Sequence, residues 1–146
     1  MKIIIGADHG GYNAKEKHKS ILQAQGYEIL DAGAHHYDEQ DDFPDFVSQA
    51  VALFRQYPAS KIILWCRSGI GVSLSANRHP DIYCGLGFNV QQLIRATSHN
   101  HLNALALASD YLSLDLQQEL INAFLTQKPI NEEKYLRRLQ KINHLS

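Results

Sequence analysis

The sequence has few of the residues that mark secreted, disulfide-rich proteins. Its 146 residues include only two cysteines, Cys66 and Cys84, and both lie in apolar, strand-like runs. Because the chain is 45% hydrophobic, it can build a core of its own, and two cysteines do not indicate a disulfide framework. The cysteine content therefore favours a reducing compartment, and we expect the cytoplasm.

The charges show no excess of either sign. Lys and Arg number 14 against 15 Asp and Glu, which gives a net charge of -1. This balance excludes the basic surface with which proteins bind nucleic acid or an anionic membrane. No run of about 18 apolar residues occurs, and the apolar stretch over residues 1–6 is too short for a signal peptide. We expect a soluble protein with no nucleic-acid or membrane partner.

Recognisable metal motifs are missing as well. The chain has 8 histidines, but His35-His36 and His99-Asn100-His101 lack cysteine partners and an HExxH arrangement. The sequence therefore predicts no metal site.

What the sequence does contain is a regular alternation of strands and helices, without repeats or linkers, and we expect one domain over residues 1–146. Apolar runs predict strands over 3–5, 27–30, 61–66, 82–87 and 104–108. Helical periodicity predicts helices over 13–25, 45–56, 69–77, 90–98 and 131–144. Such alternation produces a parallel sheet covered by helices on both faces, so the predicted fold class is α/β.

The most informative segment runs from a buried strand into a cysteine and a glycine-spaced turn. After Lys61 and the apolar residues 62–65 comes Cys66, and Gly69 and Gly71 let the backbone turn sharply and approach a ligand. Amides at the start of the next helix form a site for anions or oxyanions. A structural interpretation stays open, in which Cys66 is a small buried hydrophobe and the glycines only make the turn.

Further polar side chains follow other elements of the predicted sheet. In open α/β sheets, ligands bind beyond the carboxyl ends of the strands. We expect one such edge to collect a carboxylate, imidazoles, a thiol, a guanidinium, a hydroxyl and an amide, from Asp8, His9, Cys66, Arg67, Ser68, His99 and Asn100. Taken singly, Asp8 can be a helix cap, His9 a surface residue and Asn100 a turn residue.

Four segments carry a pattern that covers nearly the whole chain: 8–11 (Asp-His-Gly-Gly), 42–46 (Asp-Phe-Pro-Asp-Phe), 66–71 (Cys-Arg-Ser-Gly-Ile-Gly) and 99–100 (His-Asn), followed by 105–107. In order and spacing they resemble the ribose-5-phosphate isomerase B and galactose-6-phosphate isomerase (RpiB/LacAB) family. The resemblance implies a Rossmann-like, doubly wound sheet of five parallel strands, a C-terminal helix, no metal and no cofactor. It also implies a homodimer, or a tetramer of paired dimers, whose active sites combine residues of both subunits.

The activity implied by the resemblance is aldose–ketose isomerisation of a phosphorylated sugar through a cis-enediol, with ribose 5-phosphate and ribulose 5-phosphate as the expected pair. Cys66 matches the family's base, and a helix N-terminus and Arg67 would favour its thiolate. Ser68 stands where the family usually has threonine and would relay a proton. The other implied roles are enediolate binding by the amides of Gly69, Ile70 and Gly71, ring opening by His99, and substrate contacts from Asp8, His9 and Asn100.

Several positions depart from the family pattern. Arg67 replaces a glycine beside the base, and Asp110 stands where an arginine commonly follows the fifth strand. Residues 132–135 replace a Gly-Gly-Arg-His stretch, although Arg138 matches the remaining arginine and Lys134 lies one turn before it. Lysine lacks the bidentate fork of arginine, and an aspartate would repel phosphate. We therefore expect a relocated phosphate site whose positive charge comes from His9, Arg67, Lys134 and Arg138.

Three interpretations stay open. The first is a sugar-phosphate isomerase with that relocated phosphate site. The second is the same chemistry on another pentose or hexose phosphate, or on a free sugar. The third is a non-catalytic module that binds a sugar phosphate or nucleotide, because a fold alone does not determine function. The joint presence of Cys66, Ser68 and His99 argues against the third. A cysteine phosphatase is disfavoured, since residues 69–75 contain no arginine.

The C-terminal helix also bears on assembly. Over residues 131–144 the pattern places Tyr135, Leu139 and Ile142 on one face, and Lys134, Arg138 and Lys141 on another. A solvated basic face is the simpler interpretation of such a charge pattern. The family resemblance instead implies that this region packs against a second subunit, so we expect a homodimer.

Overall fold

The computed structural model describes residues 1–145, so Ser146, the last residue of the predicted domain, lies outside it. The described chain alternates strands and helices until the last two helices, which follow one another. The elements are β1 (Lys2–Ala7), α1 (Tyr12–Ala24), β2 (Glu28–Asp31), α2 (Phe43–Gln56), β3 (Lys61–Cys66), α3 (Ile70–Asn77), β4 (Cys84–Leu86), α4 (Val90–Asn100), β5 (Ala104–Ala108), α5 (Leu114–Thr126) and α6 (Glu133–Asn143).

The strands form one parallel, 5-stranded sheet in the order β2-β1-β3-β5-β4. The central strand β3 pairs with β1 on one side and β5 on the other, so that Ile63 lies between Ile5 and Leu105. The chain leaves β1 towards β2 and then returns past β1 to β3. The loops after β1 and β3 therefore leave the sheet side by side, which is the usual ligand position in such folds. The predicted doubly wound, Rossmann-like fold is confirmed.

Two apolar layers cover the sheet, because alternate side chains of each strand point to opposite faces. On one face, Ile63 and Trp65 of β3 pack in a cluster that α1, α4 and α5 cover. On the other face, Ile62, Leu64 and Cys66 pack in a cluster that α2 and α3 cover. The sheet is therefore buried on both sides, so the exposed ends of its strands are where a ligand can reach the loops.

Helix α5 has no counterpart in the sequence-based prediction, which named no element between 109 and 130. Ser113 caps its start, because the Ser113 side-chain oxygen accepts a hydrogen bond from the Leu116 amide. On the inner face of the helix, Leu120, Ile121 and Phe124 are buried. A serine cap followed by this apolar spacing was a usable signal. With α5 in place, the first face of the sheet is covered along its full width.

Several predicted boundaries differ from the observed ones by one or two residues, and the differences at α4 and β4 have identifiable causes. Helix α4 continues to Asn100 rather than ending at residue 98, and His101 closes it with a left-handed φ of 52°. Strand β4 covers only Cys84–Leu86 rather than 82–87, because the Tyr83 amide donates to the Asn103 side chain at 2.8 Å instead of to a neighbouring strand. The first correction matters for function, since it places His99 and Asn100 inside the last turn of α4.

Helix α6 packs beside α4, and Leu139 on its predicted apolar face is buried. Ile142, predicted on the same apolar face, is instead 49% exposed. Across residues 1–145, no helix combines the length and the apolar character needed to cross a membrane.

Candidate active site

Cys66 ends the central strand at the carboxyl edge of the sheet. Its side chain points to the face covered by α2 and α3, where it packs in an apolar cluster and is 6% exposed. Its carbonyl oxygen accepts the Ser109 amide at 3.0 Å and the Ser109 hydroxyl at 3.1 Å. The same hydroxyl donates to the Gly10 carbonyl at 2.6 Å. Ser109 therefore ties together the loops that follow β1, β3 and β5.

Gly69 makes the turn from Cys66 into α3. It has a positive φ of 72°, and a Cβ at this position would lie 2.6 Å from Leu86 Cδ1 and 3.1 Å from the Ala108 amide. The first amides of a helix have no partner inside the helix. Here the Ile70 amide donates to the Ser68 hydroxyl oxygen at 3.2 Å. The predicted relay group Ser68 is thus hydrogen-bonded to one of the amides predicted to bind the enediolate.

Asp8 organises the turn after β1. Its Oδ1 accepts the amides of Gly10 and Gly11 at 3.0 and 3.2 Å. Burial raises the pKa of Asp8, and the nearby carboxylate of Asp41 acts in the same direction, although the two amides and His9 oppose the shift. Asp8 therefore braces the turn that precedes α1 and does not cap the helix, because the N-cap residue is Gly11 and no side chain caps it.

His9 lies beside Asp8 and faces Asp41, a residue that the sequence analysis did not single out. Asp41 Oδ1 lies 2.7 Å from His9 Nδ1 and accepts the His9 amide at 3.0 Å. The ring of Tyr37 stands edge-on to His9 at 6.2 Å. Asp8, His9 and Asp41 each offer one atom that can ligate a metal, and these three atoms lie within 4.8 Å of one another. The three side chains could therefore hold a metal ion. The only signal for Asp41 was the acidic character of the loop before α2.

Arg67 points from the β3 loop towards the β1 loop. It is exposed, and its Cγ would lie 2.4 Å from a Cβ on Gly10, so the missing side chain there makes room for it. Its Nη1 lies 3.4 Å from Asp110 Oδ2. The Asp110 amide also donates to the Arg67 carbonyl at 3.1 Å. The two departures from the family pattern are thus in contact with each other.

His99 and Asn100 do not join this cluster within one chain. Helix α4 runs opposite to the strands, so its last turn lies at the amino edge of the sheet. Two hydrogen bonds agree with this position. Lys61, the first residue of β3, donates to the Phe124 carbonyl near the end of α5 at 2.8 Å. The segment that follows α5 then reaches the end of α4, where the Ile130 amide donates to the Ser98 carbonyl at 2.9 Å. The prediction that all site residues share one edge is therefore wrong for His99 and Asn100.

The separation is too large for side chains to bridge. Cys66 ends β3 and Lys61 begins it, and a strand of this length spans roughly 16 Å. His99 and Asn100 were predicted to follow the helix after the fourth strand, but they form its last turn, and the direction of that helix takes them to the amino edge.

A second polar cluster lies around His99 at the amino edge. The ring of Tyr135 stacks on His99 with centroids 4.3 Å apart and an angle of 18° between the planes. Lys134 Nζ lies 5.1 Å, and the Arg138 guanidinium carbon 6.0 Å, from the centroid of the Tyr135 ring. His99, Asn100 and Arg95 also line a cavity of about 760 Å³. The predicted residues His99, Asn100, Lys134 and Arg138 thus share one region, away from Cys66.

The fold and the similarity of this chain to known proteins together define its class of enzyme. The family model described as Ribose/Galactose Isomerase matches residues 3–142. The protein is therefore a sugar-phosphate isomerase by class, an enzyme that interconverts an aldose and a ketose. The chain belongs to the Ribose/Galactose Isomerase family, which confirms the resemblance seen in its motifs.

Individual relatives agree with this assignment. Ribose-5-phosphate isomerase B of Mycobacterium tuberculosis (strain CDC 1551 / Oshkosh) is 30% identical over 139 residues, which cover 95% of this chain and 86% of the relative. The structure of a ribose 5-phosphate isomerase from Thermotoga maritima superposes with a TM-score of 0.92 at 31% identity, covering 99% and 98% of the two chains. Ribose-5-phosphate isomerase B from Mycoplasma genitalium, solved with bound ribulose-5-phosphate, gives 0.90 at 25% identity, covering 97% and 93%.

Proposed function

We propose that the protein interconverts ribose 5-phosphate and ribulose 5-phosphate through a cis-enediol, with Cys66 as the base. The observation that carries the proposal is the position of Cys66: it ends the central strand, beside Asp8 and His9 and immediately before the N-terminus of α3. That place puts a thiol next to hydrogen-bond donors for a developing oxyanion. The names of the relatives support the choice of substrate.

In this mechanism the Cys66 thiolate takes the proton from C2 of the open-chain aldose and returns it to C1. The proton on the C2 hydroxyl moves to the C1 oxygen, and the Ser68 hydroxyl relays it. The amides of Gly69, Ile70 and Gly71 stabilise the negative charge on the enediolate oxygen. Substrate and product are isomers with the same overall oxidation level, so the two proton transfers need no external oxidant or reductant.

We propose that a second copy of the chain completes the site. His99 would open the sugar ring and Asn100 would bind a substrate oxygen, yet within one chain both lie at the amino edge of the sheet, at the opposite end of β3 from Cys66. A homodimer that places the amino edge of one subunit on the carboxyl edge of the other would bring them together, and two such dimers could pair as a tetramer. Exposed apolar side chains beside the Cys66 loop support this contact: Ile70, Leu74 and Phe88 are 48%, 61% and 60% exposed.

The same arrangement supplies charge for the phosphate. Arg67 would approach it from one subunit, and Lys134 and Arg138 from the other, while His9 would bind a substrate hydroxyl instead of the phosphate. The stacking of Tyr135 on His99 supports this grouping, because it holds the cations of α6 next to the ring-opening group. We also propose a cytoplasmic location, since a thiol base has to remain reduced.

A second candidate is the same chemistry on a different sugar. The ion pair between Arg67 and Asp110 favours it, because a carboxylate beside the phosphate position weakens phosphate binding. Another pentose or hexose phosphate, or a free sugar, would then be the substrate.

The test is turnover of ribose 5-phosphate, allose 6-phosphate, galactose 6-phosphate and free ribose by the purified protein. We expect the highest kcat/KM with ribose 5-phosphate and a loss of at least about 100-fold in Cys66→Ala. Cys84→Ala is the matched control, because it removes the chain's other thiol, whose pKa burial raises to about 12. Turnover of none of the sugars, or equal turnover in Cys66→Ala, would defeat the proposal.

A further inference from the structure

The loop between β2 and α2 lies over the turn that follows β1. Its first residues are anchored, since the Ala34 amide donates to the Ala7 carbonyl at 2.7 Å and the buried Lys15 ammonium donates to the Ala34 carbonyl at 2.7 Å. Farther along, the Asp41 amide donates to the Asp38 carbonyl at 3.0 Å and closes a turn. These contacts hold Asp41 against His9, which is 32 residues away in the chain.

A single carboxylate oxygen of Asp41 meets two nitrogens of His9. Oδ1 accepts the backbone amide at 3.0 Å and lies 2.7 Å from Nδ1 of the ring. The Asp41 side chain is only 9% exposed, and its other oxygen, Oδ2, is buried without a hydrogen-bond partner among residues 1–145. Because water competes little for this carboxylate, its bond to the ring nitrogen is strong.

This contact determines which ring nitrogen of His9 is available to a ligand. A neutral imidazole has one N–H and one lone pair, and a carboxylate at Nδ1 keeps the proton there. Nε2 then carries the lone pair and can accept a hydrogen bond from a ligand. Tyr37, edge-on at 6.2 Å, stands beside the ring and restricts its rotation.

The distance also argues against a metal ion between these groups. Two ligand atoms around one ion each lie about 2 Å or more from it and rarely approach one another as closely as a hydrogen-bonded pair. The separation of 2.7 Å between Nδ1 and Oδ1 is that of a short, charge-assisted hydrogen bond. The cluster is therefore better described as an oriented imidazole than as a cation site.

We propose that Asp41 is a positioning residue that holds His9 as the Nδ1–H tautomer and aims its Nε2 at the substrate. The inference rests on the proposed function, in which His9 binds the substrate at this edge of the sheet. Asp41 itself touches no reacting atom; it acts through His9. Its removal should weaken substrate binding while the proton transfers at Cys66 continue.

The first test is free of substrate. Nitrogen-15 NMR of the ring reports the tautomer of neutral His9, with the signal assigned by its disappearance in His9→Gln. We expect the Nδ1–H tautomer in the unaltered protein and a shift to the Nε2–H tautomer in Asp41→Ala. Asp41→Asn keeps an acceptor oxygen and should retain most of the Nδ1–H form. An Nε2–H ring in the unaltered protein, or no change in Asp41→Ala, would overturn the proposal.

The second test is kinetic. We expect KM for ribose 5-phosphate to rise about tenfold or more in Asp41→Ala and less in Asp41→Asn, with kcat changed by no more than about threefold. Asp38→Asn is the matched control, because it makes the same change on an exposed carboxylate of the same loop that bonds only the Gln40 amide. A fall in kcat with KM unchanged would contradict a positioning role through substrate binding.

The two tests separate the possible failures. An inactive protein that shows the expected tautomer change would refute the substrate assignment and leave the Asp41–His9 relationship intact. An active protein without the tautomer change would refute the role of Asp41 alone. Loss of activity on chelation, restored by a divalent cation, would also refute it, because Asp41 would then be a metal ligand.

Discussion

The guanidinium of Arg67 and the carboxylate of Asp110 form an ion pair, 3.4 Å apart, that joins the loop after β3 to the loop after β5. Both side chains are well exposed, at 58% and 43%, and exposed pairs of this kind contribute no more than about 1 kcal/mol. The pair is thus weak enough for an incoming phosphate to displace Asp110 from Arg67. The family resemblance implied a cation at position 110, where this chain has an aspartate, and Arg67 of the neighbouring loop is the cation that contacts it.

Asp110→Asn should strengthen binding of a phosphorylated substrate, because it removes the negative charge that competes for Arg67. We expect KM for ribose 5-phosphate to fall about threefold, and to rise about tenfold in Arg67→Gly. Competitive inhibition by inorganic phosphate should follow the same order. If both variants bind phosphate as the unaltered protein does, Arg67 is not a phosphate ligand.

Mixing two inactive variants should restore activity if the site is shared between subunits. Cys66→Ala and His99→Ala should each be inactive alone. After denaturation and refolding together in equal amounts, mixed dimers would contain one intact site, and about a quarter of the original activity should return. The control is each variant refolded by itself. No recovery in a mixture that sediments as dimers would show that Cys66 and His99 do not act in one shared site.

Lys15 is the buried charge on which the β2–α2 loop depends. Its ammonium is fully buried and lies 2.8 Å from Asp31 Oδ2, so replacing it leaves a carboxylate short of a partner. We expect Lys15→Met to lower the free energy of unfolding by about 3 kcal/mol in urea titrations. Lys19→Met removes a partly exposed partner of the same carboxylate and should cost less than about 1 kcal/mol. Equal losses in the two variants would contradict this.

The same ion pair predicts a dependence on pH. Burial opposes ionisation of Asp31, but hydrogen bonds from Lys15, the Gly33 amide and Lys19 outweigh it and lower its pKa below the reference value of 3.8. The stabilisation is therefore complete above that reference value and is lost as pH falls through the lower, folded-state pKa. Asp31→Asn should unfold more easily at neutral pH and show a shallower loss of stability in acid.

Gly69 should tolerate a side chain less well than Gly26, although both have positive φ. At Gly26, with a φ of 93°, a Cβ would meet nothing within 4 Å, and alanine should cost about 1 kcal/mol of backbone strain. At Gly69 the Cβ would also collide with Leu86 and the Ala108 amide, so we expect about 3 kcal/mol and a lower kcat. Thermal unfolding of the two variants measures the difference. Equal melting temperatures would show that the contacts around Gly69 adapt.

Much of the fold was predictable because its signals are local. The mostly apolar residues 61–65 predict a strand that is buried on both faces, and this strand is the centre of the sheet. Helix α5 shows what a local scan can miss, although Ser113 and the apolar spacing after it were present in the sequence. The short β4 could not be predicted, because the Asn103 side chain that takes the Tyr83 amide comes from a distant turn.

The candidate site was predictable only in part. Asp8, His9, Arg67 and Ser68 follow β1 and β3, and adjacent parallel strands bring their loops together, as expected. The misplacement of His99 had a physical cause that the fold makes plain: a crossover helix returns to the amino edge, so its last residues lie far from the strand ends that carry the other groups. Asp41 was not predicted as a site residue, because the sequence of a polar loop does not show which of the loop's carboxylates will be buried.

The sequence by itself determined the alternation of strands and helices apart from α5, the α/β class, the family and the chemical groups available at each loop. These follow from periodicity, turn residues and spaced motifs, which act over a few residues at a time. Only the tertiary structure decided that Asp41 meets His9, that Arg67 pairs with Asp110, and that His99 lies at the opposite edge from Cys66. Such contacts join residues that are tens of positions apart, and their geometry depends on how strands, helices and loops pack together.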